Sequence, residues 1–137
     1  MKFEFHPHTA DIRMKVEANT LTEVFETALL GMSEIMKEGF CNRPYKGSLN
    51  VDLRITSKDR TCLLIDFLSE ALSVSYNEKA VFCQLHIIKM GTNLLEASIY
   101  GATIDKFDEE IKAVTYHEAN LIKNQQNKWE TFIIFDI

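Results

Sequence analysis

The sequence predicts an α+β fold: mostly antiparallel sheet with two helices packed on one face. Three observations carry this. Six or seven short stretches alternate apolar and polar residues, as strands do. Two longer stretches repeat apolar residues at three- and four-residue steps, as helices do. Turn residues are placed so that most of the strands join as hairpins.

Residues 2–5 (KFEF) alternate, and Ile12, Met14 and Val16 form the apolar side of a second strand over 12–17. His6–Asp11 is then a tight link between the two, and Pro7 within it cannot donate to a sheet ladder. Thr20 and Glu23 have capping-box spacing at the start of a helix. Its buried face is Leu21, Val24, Phe25, Ala28, Leu29, Met32, Ile35 and Met36, and Gly39 supplies a left-handed residue to end it. A polar loop over 41–47 leads to the clearest alternating strand, 49–55. Asp59 caps a second helix that buries Leu63, Leu64, Phe67, Leu68, Ala71 and Leu72 and ends near Asn77. Strands follow at about 80–90, 93–100, 111–122 and 129–136, with turns at Gly91–Asn93 and Asn124–Lys128. The Met and Phe residues at helical spacing read as core, not as a cofactor box.

At 137 residues and 46% hydrophobic, the chain reads as one domain, 1–137, that needs neither disulfide nor structural metal to fold. Twenty acidic against 15 basic side chains argue against a broad nucleic-acid-binding face, which needs clustered cations. Three cysteines without a CxxC pair read as reduced thiols of a cytoplasmic protein. Nothing resembles a signal peptide or a membrane span.

His6 and His8 lie two apart and point the same way on an extended segment, as two ligands would. Zinc needs more nitrogen or sulfur ligands, and neither His86, His117 nor any cysteine stands at ligand spacing. The histidines therefore read as solvated loop residues. Asp11 precedes an apolar strand, and Asp136 follows the apolar run Thr131–Phe135. If the last strand pairs beside Ile12–Val16, the two carboxylates and the terminal carboxylate of Ile137 converge. Crowded like charges are commonly resolved by an oxygen-seeking divalent cation. The plainer reading is that strand-end carboxylates simply solubilise. Lys112 sits among Glu109, Glu110 and Glu118, and an ion pair with Glu110 is its ordinary role. There is no glycine-rich phosphate loop and no nucleophile with an evident base, so the residues alone assign no catalysis.

"HTADI" (8–12), "DRTCLLIDFLSEAL" (59–72), "EIKAVTYHEANL" (110–121) with Trp129 after it, and the final "FDI" (135–137) together resemble the archease family. The resemblance spans essentially the whole chain and implies an archease-like α+β fold. Archeases are accessory proteins of the GTP-dependent, RtcB-type tRNA-splicing RNA ligase. The resemblance implies a non-catalytic activator that promotes guanylylation of the ligase's own histidine and restores multiple turnover. GTP is then used by the ligase, RNA is met only through it, no membrane is involved, and the setting is the cytoplasm. It further implies that Asp11, Asp136 and Ile137 hold a divalent cation (Ca²⁺, Mg²⁺ or Mn²⁺). Lys112 matches a functionally needed lysine, and His8 and His117 match motif positions that are candidate partner contacts. The chain departs from many members in carrying Arg13 and Met14 after HTAD-Ile, and in a short 101–107 loop without Glu or His. Two other classes compete: a metal-independent, chaperone-like protein-binding module, and a metal-dependent phosphohydrolase using Asp11 and His8.

Overall fold

Side-chain caps start both helices, as the sequence predicts. Thr20 Oγ1 accepts from Glu23 N–H at 3.2 Å, and Asp59 Oδ1 accepts from Cys62 N–H at 2.8 Å. The computed structural model describes residues 1–6, 11–44 and 49–137. Its elements in order are β1 (Lys2–His6), β2 (Asp11–Ala18), α1 (Leu21–Met36), a 3-10 turn (Phe40–Asn42), β3 (Leu49–Thr56) and α2 (Arg60–Glu78). There follow β4 (Ala80–Met90), β5 (Leu94–Thr103), β6 (Ala113–Thr115), β7 (Ile122–Lys123) and β8 (Trp129–Asp136). His8 and most of the link between β1 and β2 lie outside the described residues, as does the end of the polar loop before β3.

The described strands form two antiparallel sheets. The larger has the order β1-β2-β8-β6, with β7 also pairing β8, and the smaller has the order β3-β5-β4. Helix α1 packs against β2 of one sheet and β4 of the other, while α2 packs across the smaller sheet and reaches β6. The α+β class stands, with the helices shared between two sheets. Phe25 and Phe67 are fully buried and meet at 5.7 Å between ring centroids where the helices touch. Gly31 lets α1 settle on β2, since a Cβ there would lie 2.2 Å from Met14 Sδ.

Three local expectations are corrected. Helix α1 ends at Met36 with Lys37 as its cap, and Gly39, at φ +74°, opens the 3-10 turn instead of closing the helix. The cause is Asp108, whose Oδ2 takes the Glu38 N–H at 2.9 Å and draws the chain out of helical geometry. The stretch 111–122 is not one strand: β6 stops at Thr115, and a turn with Glu118 at φ +62° precedes β7. Cys41 and Cys83 are not reduced thiols but a disulfide, leaving Cys62 free.

That bond follows from a bulge. Register runs from Phe82↔Gly101 directly to Gln84↔Tyr100, so Cys83 is an extra residue on β4. The 3-10 turn after α1 brings Cys41 to a Cα–Cα distance of 5.5 Å from it. The bond closes a loop with a sequence separation of 42. Reduction, or Cys41→Ser or Cys83→Ser, is expected to remove about 2–4 kcal/mol of unfolding free energy. The check is a urea titration with and without dithiothreitol; superimposable curves would show that the cysteines are not bonded.

Candidate functional site

Strand β8 runs between β2 and β6, and this places the two singled-out aspartates. Asp11 of β2 is the direct register partner of Asp136 of β8, and Asp136 is in turn the partner of Ala113 of β6. Directly opposed residues point to the same face of a sheet, with Cβ atoms about 4.5–5.5 Å apart. Asp136 is exposed, whereas Asp11 is half-buried with its Oδ1 out of water. The backbone N–H of Lys112 donates to the Asp136 carbonyl at 2.7 Å, so Lys112 enters at the same sheet end. Its side chain is exposed, and among the described residues it has no ion-pair partner, Glu110 included. Ile137 is half-buried against the core beside Asp136.

The opposite end of the same ladder shows how this fold otherwise treats facing carboxylates. Glu17 and Glu130 are also direct partners across β2 and β8. There the Asn124 amide donates to both, at 2.8 and 2.7 Å, while Lys2 lies 3.7 Å from Glu17 and Lys15 lies 3.9 Å from Glu130. Fixed donors thus neutralise the Glu pair. For Asp136 no such donor to its side chain is found among the described residues. Among those residues, no three His, Cys, Asp or Glu side chains gather as a metal set. What the sheet end offers is an oxygen-only pair, chemistry that suits a hard cation and not zinc.

The approach to Lys112 is held by contacts that the sequence did not reveal. Tyr76 Oη accepts from Ile111 N–H at 2.6 Å and donates to Ile111 O at 2.8 Å, clamping the residue before Lys112 from both sides. Phe107 packs edge-on to Tyr76 at 5.1 Å, and burial pushes the Tyr76 phenol up. Lys37 Nζ donates to Lys106 O at 3.0 Å and to Asp108 Oδ1 at 3.3 Å. The Glu38 N–H and then Lys37 hold the Asp108 carboxyl below its usual range. The expected 101–107 loop is thus shorter still: Gly101–Thr103 belong to β5, and the segment after it is fastened to the end of α1 through Lys106 and Asp108. The one available signal was a tyrosine near the end of an apolar helix, where its hydroxyl needs a partner.

His117 is exposed in the turn after β6, the strand that begins beside Asp136. The structure thus brings Asp11, Asp136, Ile137 and Lys112 together, with His117 at the far end of β6. His86, on β4, belongs to the other sheet. Beside His117, the Tyr116 hydroxyl donates to Asp66 Oδ1 of α2, and this bond, with burial, pushes the phenol up to about 12. Below pH 10 the phenol is neutral in both folded and unfolded chains. Between about 10 and 12 only the folded chain keeps the proton, so the contribution fades as pH rises through that window. Asp66→Asn is expected to bring the Tyr116 ionisation back toward 10, read as phenolate absorbance against Tyr116→Phe; unchanged alkaline titration would deny the contact.

Residues 3–137 match the archease protein family (MTH1598/TM1083). A curated archease of Methanosarcina acetivorans is 33% identical over 99% of this chain and 96% of its own length. One from Pyrococcus furiosus is 29% identical over 99% of both chains. Among solved structures, Methanobacterium thermoautotrophicum protein 1598 superposes with a TM-score of 0.78 at 30% identity, covering 98% of both chains. A Thermotoga maritima crystal structure described as an archease, possible chaperone, shares the fold with a TM-score of 0.64 at 18% identity. With the family matching nearly end to end and the fold agreeing, the chain belongs to the archease family.

Proposed function

We propose that this protein is a non-catalytic activator of a GTP-dependent, RtcB-type RNA ligase, working in the cytoplasm through a divalent-cation site at Asp11, Asp136 and Ile137. The observation that carries the reading is the Asp11↔Asp136 register at the sheet end where Lys112 enters. Oxygens of the two carboxylates and of Ile137 suit Ca²⁺, Mg²⁺ or Mn²⁺. The cation when bound supplies concentrated positive charge, which favours transfer of a charged guanylyl group. Asp11 and Asp136 anchor that charge, and Lys112 offers an ammonium to a phosphate oxygen as a point charge. The His8 side of the motif is assigned to partner contact with His117, and RNA is met only through the ligase.

Two experiments test the reading. Adding Ca²⁺ or Mn²⁺ is expected to raise the thermal midpoint, by about 2.7 kcal/mol of linkage at a hundred times the dissociation constant. Asp136→Asn removes one of two facing charges, so its metal-free form should be more stable than the parent and gain nothing from the cation. A midpoint indifferent to every divalent cation tried would sink the metal site. In the second, the purified ligase is given radiolabelled GTP with and without this protein. Stimulated guanylylation is expected from the parent, and its loss from well-folded Asp11→Ala, Asp136→Ala and Lys112→Ala; full stimulation by all three ends the site assignment.

The Thermotoga relative's description as a possible chaperone supports a second reading, a protein-binding module without metal dependence. That reading expects ligase-independent suppression of aggregation with no response to cations.

A further inference from the structure

The Tyr116–Ala119 turn is built in a way that local backbone preference does not explain. Ala119 N–H donates to Tyr116 O at 3.1 Å, closing a four-residue turn with His117 and Glu118 at its centre. Glu118 has φ +62°, where glycine or asparagine is the usual residue of such a turn. A side chain held in that region stores strain, and such strain concentrates where the surrounding structure has a use for it. The use visible here is a contact: Glu118 Oε1 accepts from Arg13 Nε at 3.0 Å and lies 3.0 Å from Arg13 Nη2. The guanidinium lies 3.6 Å over the Phe132 ring of β8, and the Arg13 side chain is 26% exposed, so this is more than a loose surface pair.

The other side of the turn is fastened as well. Tyr116 is tied through its hydroxyl to Asp66 of α2. Beyond the turn, Asn120 N–H donates to Thr131 Oγ1 at 2.9 Å and Leu121 N–H to Thr61 Oγ1 at 3.0 Å. Tyr116, His117 and Glu118 are all exposed, but Tyr116 and Glu118 are tied to Asp66 and Arg13, whereas the His117 side chain has no partner among the described residues.

We propose that Arg13, Glu118, Tyr116 and Asp66 are positioning residues that hold the 116–119 turn rigid so that it presents the His117 imidazole to the partner ligase. An imidazole has a donor and an acceptor nitrogen, and the matching feature on the partner is a polar group or carboxylate that bonds to it. Fixing the turn in advance removes the ordering cost that association would otherwise carry. The inference rests on the proposed function, because the ligase is its readout.

Glu118→Gly separates positioning from folding. Glycine relieves the positive-φ strain, so the thermal midpoint should hold or rise while the Arg13 contact is lost. Stimulation of guanylylation by Glu118→Gly and by Arg13→Ala is expected to fall about twofold or more, the low end of coupling between contacting groups. His117→Ala should fall at least as far, and Glu118→Gly added to His117→Ala should cause no further loss. The charge-swapped Arg13→Glu/Glu118→Arg pair should recover part of the stimulation that Arg13→Glu alone removes. Parent protein active beside a fully active Glu118→Gly or His117→Ala overturns this inference alone, as do additive losses in the double variant. Parent protein that leaves the ligase unstimulated overturns the proposed function and this inference together.

Discussion

The antiparallel register between β2 and β8 is the constraint on which the site depends. Strand side chains alternate with period two, so a one-residue slip would exchange every residue between faces. In the observed register Ile12, Met14 and Val16 stand opposite Phe135, Ile133 and Thr131 on the core side. Arg13, Lys15 and Glu17 would turn toward α1 after a slip, and buried unpaired charge is among the largest penalties a fold can meet. Gly31 tightens the choice, because the space where its side chain would be is filled by Met14. A glycine on a helix thereby helps decide that Asp11 faces Asp136.

That register places a like-charged pair at each end of one ladder, and the two pairs are handled differently. Glu17 and Glu130 are locked by Asn124 and flanked by Lys2 and Lys15, which turns mutual repulsion into a polar network. Asp11 and Asp136 stand at the strand ends, with Asp136 also paired to Ala113 of β6 and no donor to its side chain among the described residues. Strand pairing fixed by the apolar face can tolerate two facing carboxylates at its tip.

Sequence periodicity made most of the fold legible because period two and period 3.6 each report one buried face. Leu63, Leu64, Phe67, Leu68 and Ala71 are buried as their spacing predicts, and Thr20 and Asp59 cap as their chemistry predicts. The misses share a cause, which is tertiary contact overriding local preference. Ala113–Tyr116 is good strand sequence, yet the strand stops where Tyr116 reaches Asp66 and Glu118 reaches Arg13, partners 50 and 105 residues away. Gly39 is a sound helix terminator, but Asp108 ends the helix first from 70 residues away. The disulfide was hidden because a bulge at Cys83, not any spacing, aims the two cysteines at each other. At the site, strand-end position alone pointed to Asp11 and Asp136; the residues around Lys112 and His117 gave only an ion pair and a histidine off ligand spacing, and the family motif alone gave them a role.

Strand β6 accounts for why that motif is short and continuous. Its first residue, Ala113, stands beside Asp136, and its last, Thr115, fixes its hydroxyl to Ile134 O at 3.1 Å on the same strand. At about 3.3 Å per residue, the step from Ala113 to Thr115 covers roughly 7 Å. Lys112 lies just before this edge strand of the larger sheet and the anchored turn just after it. Tyr76 fastens the residue before Lys112, and Asp66 fastens the residue before His117; both tethers come from α2. One helix therefore holds the chain on both sides of β6.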